Sequence, residues 1–491
     1  MERNFLRFFL FLLCLMIDSC LSKPKAILDD IDISTADVDF SFSEDIDIFD
    51  ASSLPDHDSL SYPHPARWTI SKEKISWTTN LPFKFYQWGT AKMDAVKFML
   101  QAKSGLFLVG STNMSLDGST DADAYLKVVY PDDTVTTYSF GTDRIDWGSA
   151  LTLDQNELVL IIGATNGDMG RKWDKTQKDW MDAFLLSLDQ RNDAFSFFQW
   201  GNDKASDPQI IYQEEDGSVI VIGMTNGSFE GQVLHGKNDL FISKIRDGRV
   251  FTTQFGPEMN ASIFIGNRRI VKTTTTIFFS AVVENGALPG QTFFGEGDGA
   301  IVAIDRKTLT PSFYQIGTSA NDMIDGLTEG SDKNIYFVGA TYGAFPSYSN
   351  QGDSDFFYGY LDVINKRIFI KNQTGSSKRD VARSPVFHKN TLYHVGRSDG
   401  SCGESFSSNY DQGCLVGLNP SFGIAKCLLF GDPSRTSDAG LLVITSDPEN
   451  RVYVAGTTYG TLGSAFFGDG SADSFDSFLM TALLADLGFN K

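Results

Sequence analysis

Carboxylates dominate the chemistry that this 491-residue chain could carry. An aspartate recurs in one local phrase at Asp123, Asp182, Asp239, Asp298, Asp355 and Asp476, each followed within three residues by an aromatic residue or Ile. Asp411 is the expected seventh member. A glycosidase needs two carboxyl groups about 5–10 Å apart, but a residue repeated in every unit points to a scaffold task. An Asp at a strand start caps the preceding turn by accepting from backbone N–H groups. Two loops hold more acid than the phrase requires: Asp117, Asp121 and Asp123, and Asp469 and Asp473 ahead of Asp476. Asp353 with Asp355 is a shorter version. Oxygen ligands at such spacings make weak Ca²⁺ candidates, since extracellular sites bind loosely. Neither long loop supplies the Glu that an EF-hand needs, and solvated Gly/Ser/Asp turns have the same composition.

The other reactive types are sparse. The five histidines, His57, His64, His235, His388 and His394, do not pair at metal spacing. Gly295–Gly299 imitates a phosphate loop but occupies the repeat's Asp phrase and leads into a strand rather than a helix. There is no Gly-x-Ser-x-Gly elbow. No catalytic residue and no cofactor beyond that weak Ca²⁺ is nominated. Tyr342, Phe345, Tyr348 and Tyr459 follow hydrophobic strands in the fifth and seventh units. In loops they could form a ligand face, stacking on a sugar or anchoring a protein; their competing use is packing between units.

The elements that must position these residues emerge from self-comparison. An aromatic strand ending in Gly appears as FYQWG to Gly89 and FFQWG to Gly201, again at Gly256 and Gly317, and more weakly at Gly141, Gly375 and Gly431. The intervals between these glycines are 52, 60, 55, 61, 58 and 56 residues, with 60 left after the last, which makes seven units. A second strand ends in Gly-x-Thr, as in LFLVGST to Thr112 and VLIIGAT to Thr165. The sixth copy substitutes Ser398, and the fourth has lost its Gly. About four short strands per unit, some apolar on both faces, require units packed side by side. The expected fold is therefore an all-β, seven-bladed propeller. The last unit is one strand short, and Phe83–Gly89 is a surplus copy of that strand. It is expected to pair near Ser477–Leu484 and so close the ring without open sheet edges.

The Trp-Gly, Gly-x-Thr and Gly-x-x-Asp-x-Phe phrases, the last as in Gly236–Phe241, resemble the SBBP family of β-propeller repeats across roughly residues 83–491. That resemblance implies a secreted or surface propeller and no shared chemistry. Units four and six depart from its pattern and are expected to be irregular.

Three segments follow. Residues 1–22 read as a signal peptide: Arg3 and Arg7, ten apolar residues from Phe8 to Ile17, then small residues before Lys23. Ten apolar residues are too few to span a bilayer, and no later segment is long enough. Residues 23–75 are an acidic leader with eleven Asp or Glu between 29 and 58 and no Lys or Arg there; it is expected to be mobile or to lie on the propeller surface. Residues 76–491 form the propeller. The net charge of −21 argues against nucleic acid and anionic membrane as partners. Of the cysteines beyond the signal, Cys402 and Cys414 flank one loop and are the expected disulfide, with Cys427 left over. Asn113, Asn226, Asn260 and Asn372 stand in glycosylation sequons.

A regular repeat without a reactive constellation suggests a secreted, non-enzymatic module that binds an extracellular protein or glycan. The alternative is a secreted carbohydrate-active enzyme, hydrolase or lyase, using carboxylates in the propeller channel. What separates them is whether the ring gathers aromatics and carboxylates in one cleft.

Overall fold

The computed structural model describes residues 67–80, 82–112, 122–169, 180–257, 260–400, 410–462 and 474–489. They form seven antiparallel sheets, one per blade. The innermost strands, in blade order, are Asp94–Gln101, Asp146–Leu153, Ser206–Gln213, Ser262–Ile265, Asp322–Glu329, Asp380–His388 and Ser437–Ile444. Ring closure is by the predicted clasp: Phe83–Trp88 lies antiparallel to Asp476–Leu483, with Lys84 opposite Thr481 and Trp88 opposite Ser477. The last innermost strand then packs against the first.

Burial follows strand position within the blade. The Gly-x-Thr strands of blades two and three, VLIIGAT and VIVIGMT, are buried along their whole length. Each blade is covered on both faces by its neighbours, so nothing in these strands has to be polar. Outer strands alternate instead: in Arg249–Phe255 the residues Arg249, Phe251 and Thr253 face solvent. Arg67–Lys74, lying ahead of the expected boundary at 76, forms a fifth, outermost strand on blade one, with Trp68 opposite Phe140. Seven of its eight residues are exposed.

The repeated phrases are structural devices. Asp239 accepts from the His235 and Gly236 amides, both at 2.9 Å, and Asp298 from the Phe294 amide at 2.9 Å. In five blades such an Asp also accepts from a glutamine on the outer strand: Gln87 to Asp476 at 2.6 Å, Gln199 to Asp182 at 2.9 Å, Gln254 to Asp239 at 3.0 Å, Gln315 to Asp298 at 2.7 Å and Gln373 to Asp355 at 2.9 Å. The glycine two residues after that glutamine must be bare, because a Cβ on Gly201 would stand 2.0 Å from the Asp182 carboxylate. The glycine of Gly-x-Thr faces an inner-strand carbonyl, 1.9 Å from a Cβ built on Gly163. Opposite it every regular innermost strand carries a bulge, as between Val96 and Phe98 and between Pro208 and Ile210.

Blades four and six do depart from the pattern. In blade four the innermost strand breaks after Ile265 and resumes only at Val271–Lys272. In blade six the position under the terminal glycine is taken by Gln412, not Asp411: Ser398 pairs with Gln412, and the Gln412 side chain lies under Gly431. Asp411 accepts instead from Arg379 at 2.9 Å and lies 3.0 Å from Arg397.

The expected Cys402–Cys414 disulfide is not formed. Cys414 is a free thiol, fully buried on the third strand of blade six. It packs with Val338, Phe356 and Tyr358 of blade five, as a small apolar core residue does. Cys402 lies outside the described residues, and no disulfide joins two described cysteines.

Candidate functional site

The polar chemistry of the molecule converges on the ring axis, carried by the innermost strands. Blade one contributes Lys97, blade two Trp147, blade three Asp207 and Gln209, blade five Asp325, blade six Arg383 and blade seven Asp438. Lys97 and Gln209 are themselves the bulged residues of their strands, which turns them out of the pleat. Blade four contributes Arg268 and Arg269 from the segment where its strand is broken. There the Asn267 side chain accepts from the Arg269 amide at 2.9 Å, and its own amide donates to Ser280 at 3.1 Å. This tight turn carries Arg269 across the axis to the Met99 carbonyl of blade one, 3.4 Å away.

Asp207 is buried and fully engaged: it accepts from Trp147 Nε1 at 3.2 Å and from Gln209 Nε2 at 2.5 Å. Lys97 Nζ stands 4.9 Å from the centre of the Trp147 ring. Burial, and then the neighbouring Arg268 cation, push the Lys97 ammonium down to about 7, with Asp207 pulling the other way. Burial pushes the Asp207 carboxyl up, opposed by Lys97 and Arg268. Burial likewise lowers Arg268 and holds Arg269 at about 10. On the other side of the axis Arg383 donates from Nε to Asp325 at 2.8 Å and from a terminal nitrogen to Asp438, tying blades five, six and seven together. Side chains of both signs, an indole and an amide thus gather on the innermost strands.

The sequence-nominated residues fall elsewhere. Asp123 is buried at the start of its strand, beneath Gly141. Asp117, Asp121, Asp469 and Asp473 lie outside the described residues. Among the described residues no group of three or more His, Cys, Asp or Glu side chains is placed to hold a metal ion. The Phe345 ring is buried 5.0 Å from Phe357, and the Tyr459 ring lies 5.5 Å from Phe475. Tyr348 packs against the same core as Phe345, and Tyr342 is half-buried. The Phe345, Tyr348 and Tyr459 rings serve blade packing. Of the sequons, Asn372 donates its amide to the Phe422 carbonyl at 2.9 Å, and the Asn226 side chain accepts from the Ala205 amide at 3.0 Å. Asn260 is exposed at φ 72°, and Asn113 is outside the described residues.

Reading by repeat missed the axial residues, because they lie on the strand least alike from unit to unit. A signal existed: a cation inside an otherwise apolar strand, as in DAVKFML at Lys97 and DVARSPVF at Arg383.

No family model matches the chain, and no curated protein matches it. Among solved structures it is similar to the polysaccharide lyase Uly1, at 11% identity over 81% of this chain and 91% of that one, with a TM-score of 0.48. It is also similar to the β-propeller domain of the Trilobed protease from Pyrococcus furiosus, at 8% identity over 82% and 99% of the two chains, TM-score 0.42. Hydrazine synthase of Kuenenia stuttgartiensis aligns at 11% identity over 72% and 89%, TM-score 0.39. Likeness of this degree says nothing about activity. Among the described residues no helix is long and apolar enough to cross a membrane.

Proposed function

We propose that the chain is a secreted carbohydrate-active enzyme, hydrolase or lyase, working at the axial cleft. One observation carries this reading: Trp147, Asp207, Gln209 and Lys97 meet in the channel, while the loop aromatics are consumed in blade packing. An indole offers a sugar ring a stacking face. Asp207 is buried and Lys97 half-buried, and the proton affinities of both are drawn toward neutrality, as acid–base work requires. Secretion belongs to the same proposal and rests on the apolar run Phe8–Ile17 behind Arg3 and Arg7; kinship with SBBP repeats rests on the Gly-x-Thr and Asp phrases.

The test is turnover of a panel of plant, algal and animal polysaccharides by the purified full chain, read as new chain ends. Cleavage abolished by Asp207→Asn, with circular dichroism unchanged, is the expected result. A second reading, glycan binding without turnover, draws on the engagement of the channel carboxylates with Trp147, Gln209 and Arg383. Binding to a glycan that is never cleaved would favour it and overturn the enzyme.

A further inference from the structure

Two cations of the axial belt are left without a direct ion pair among the described residues. Arg268 Nε is buried with no hydrogen-bond partner. No ion pair forms on Arg268 or on Lys97 among the described residues; Lys97 meets only the Trp147 face. Asp207, whose charge both cations feel, spends its oxygens on hydrogen bonds to Trp147 and Gln209 and not on either cation. Asp325 and Asp438 are engaged by Arg383. Two like charges are therefore held near one another in a partly desolvated setting: the Arg268 cation disfavours the Lys97 ammonium, while Asp207 and Asp325 favour the Arg268 guanidinium without pairing with it directly. A half-buried cation without a direct ion pair is disfavoured by its lost hydration, and closing a propeller does not require one. The broken strand of blade four makes the arrangement costlier still, since it forgoes ladder hydrogen bonds to place Arg268 and Arg269 on the axis.

We propose that Lys97 and Arg268 form an oxyanion site that takes the acidic group, carboxylate or sulfate, of a charged sugar. This rests on the axial cleft being the glycan site, and it names the glycan as acidic. A planar guanidinium offers two parallel donors to a carboxylate or sulfate, the ammonium adds a third contact, and Trp147 lies beside Lys97 to cover the sugar ring. The bound anion supplies the direct ion-pair partner that neither cation has among the described residues. Lys97, Trp147 and Arg268 all remain half-buried rather than sealed, so the cleft keeps contact with solvent.

The test is calorimetric binding of galacturonate oligosaccharides, sulfated galactose oligosaccharides and neutral galactose oligosaccharides to the full chain, without reference to turnover. At least one acidic series should bind, the neutral one at least about tenfold more weakly, and the two acidic arms tell carboxylate from sulfate. Lys97→Gln and Arg268→Gln should each reduce the acidic affinity about tenfold or more. Because each removes an uncompensated cation, the ligand-free variants should melt at or above the wild-type temperature. Equal binding of neutral and acidic sugars, or full affinity in both variants, would overturn the site. So would a fall in ligand-free Tm of more than about 5 °C in both, which would make the cations structural braces. Acidic sugars that bind but are never cleaved leave the site standing and remove the enzyme. Cleavage of neutral glycans alone, with no acidic binding, does the reverse.

Discussion

Five blades are locked by a glutamine that reaches across from the outer strand to the aspartate opening its neighbour. Gln315 donates to Asp298 at 2.7 Å and accepts from the Leu288 amide at 2.9 Å. Gln315→Leu keeps the volume but strands a buried carboxylate and a buried amide. The expected cost is about 2–4 kcal/mol in urea denaturation. Aspartates opening the innermost strands are a second set. Burial raises Asp146 to about 7, with the nearby Asp123 charge adding to it and the Thr165 and Thr142 hydrogen bonds opposing it. Asp94 and Asp322 rise to about 6 for the same reason. A carboxyl whose folded pKa lies above its unfolded value of about 3.9 binds protons more readily when folded. Its stabilising contribution is full below about pH 4 and is lost as pH rises through about 7. Relative to Asp146→Asn, the wild type should therefore lose stability between pH 5 and pH 8; parallel melting curves across that range would contradict this. The scaffold role of the Asp residues was legible from recurrence alone. The glutamine was equally visible, five times two residues before a glycine, but the aromatic residues around it drew the eye. Nothing in one sequence could show that Gln412 replaces the Asp in blade six, since Asp411 stands beside it.

Strands at the two outer edges carry different weight. The clasp strand Phe83–Trp88 buries five of its six residues, with Phe83 and Phe85 in the core of blades six and seven. Deleting residues 76–89 should lower Tm by well over about 10 °C and broaden the transition. Truncation of residues 1–74, which keeps the buried Ile75, removes an edge strand with seven of eight residues exposed, together with its ladder to Thr134–Gly141, the Trp68–Phe195 contact and the Glu73 contacts to Tyr86 and Lys127. It should cost only a few degrees by the same scan. Strands buried on both faces were readable as short apolar runs, and the surplus copy at Phe83–Gly89 fixed both closure and blade count. The innermost strands were not readable in this way. A bulge in each shifts the pleat, so alternation fails there, and blade four breaks outright between Ile265 and Val271.

At the scale of the ring, residues far apart in sequence become neighbours, which is why the axial cleft could not be read from local spacing. Lys97 and Asp438 are separated by most of the propeller's length yet face the same axis. Arg383 shows what such contacts do: it ties Asp325 and Asp438 across three blades. Arg383→Met leaves two carboxylates facing each other in a buried setting, and a loss of about 3–5 kcal/mol is expected in chemical denaturation. Removal of Asp325 as well should restore part of it, a coupling that a double-mutant cycle measures.

The blade count bears on that belt in one more way. Taking one charged residue from each blade, with Arg269 reaching past Arg268 to the Met99 carbonyl, the belt from blade three to blade one runs Asp207, Arg268, Asp325, Arg383, Asp438, Lys97: minus and plus in strict turn. Two signs can alternate without conflict only around an even cycle. Seven is odd, so one station must be uncoloured, and blade two fills it with the indole of Trp147. That single neutral station is a seam, and it gives a nearly sevenfold ring one preferred rotational setting. A molecule entering along the axis meets a dial with one mark on it, and not seven equivalent choices.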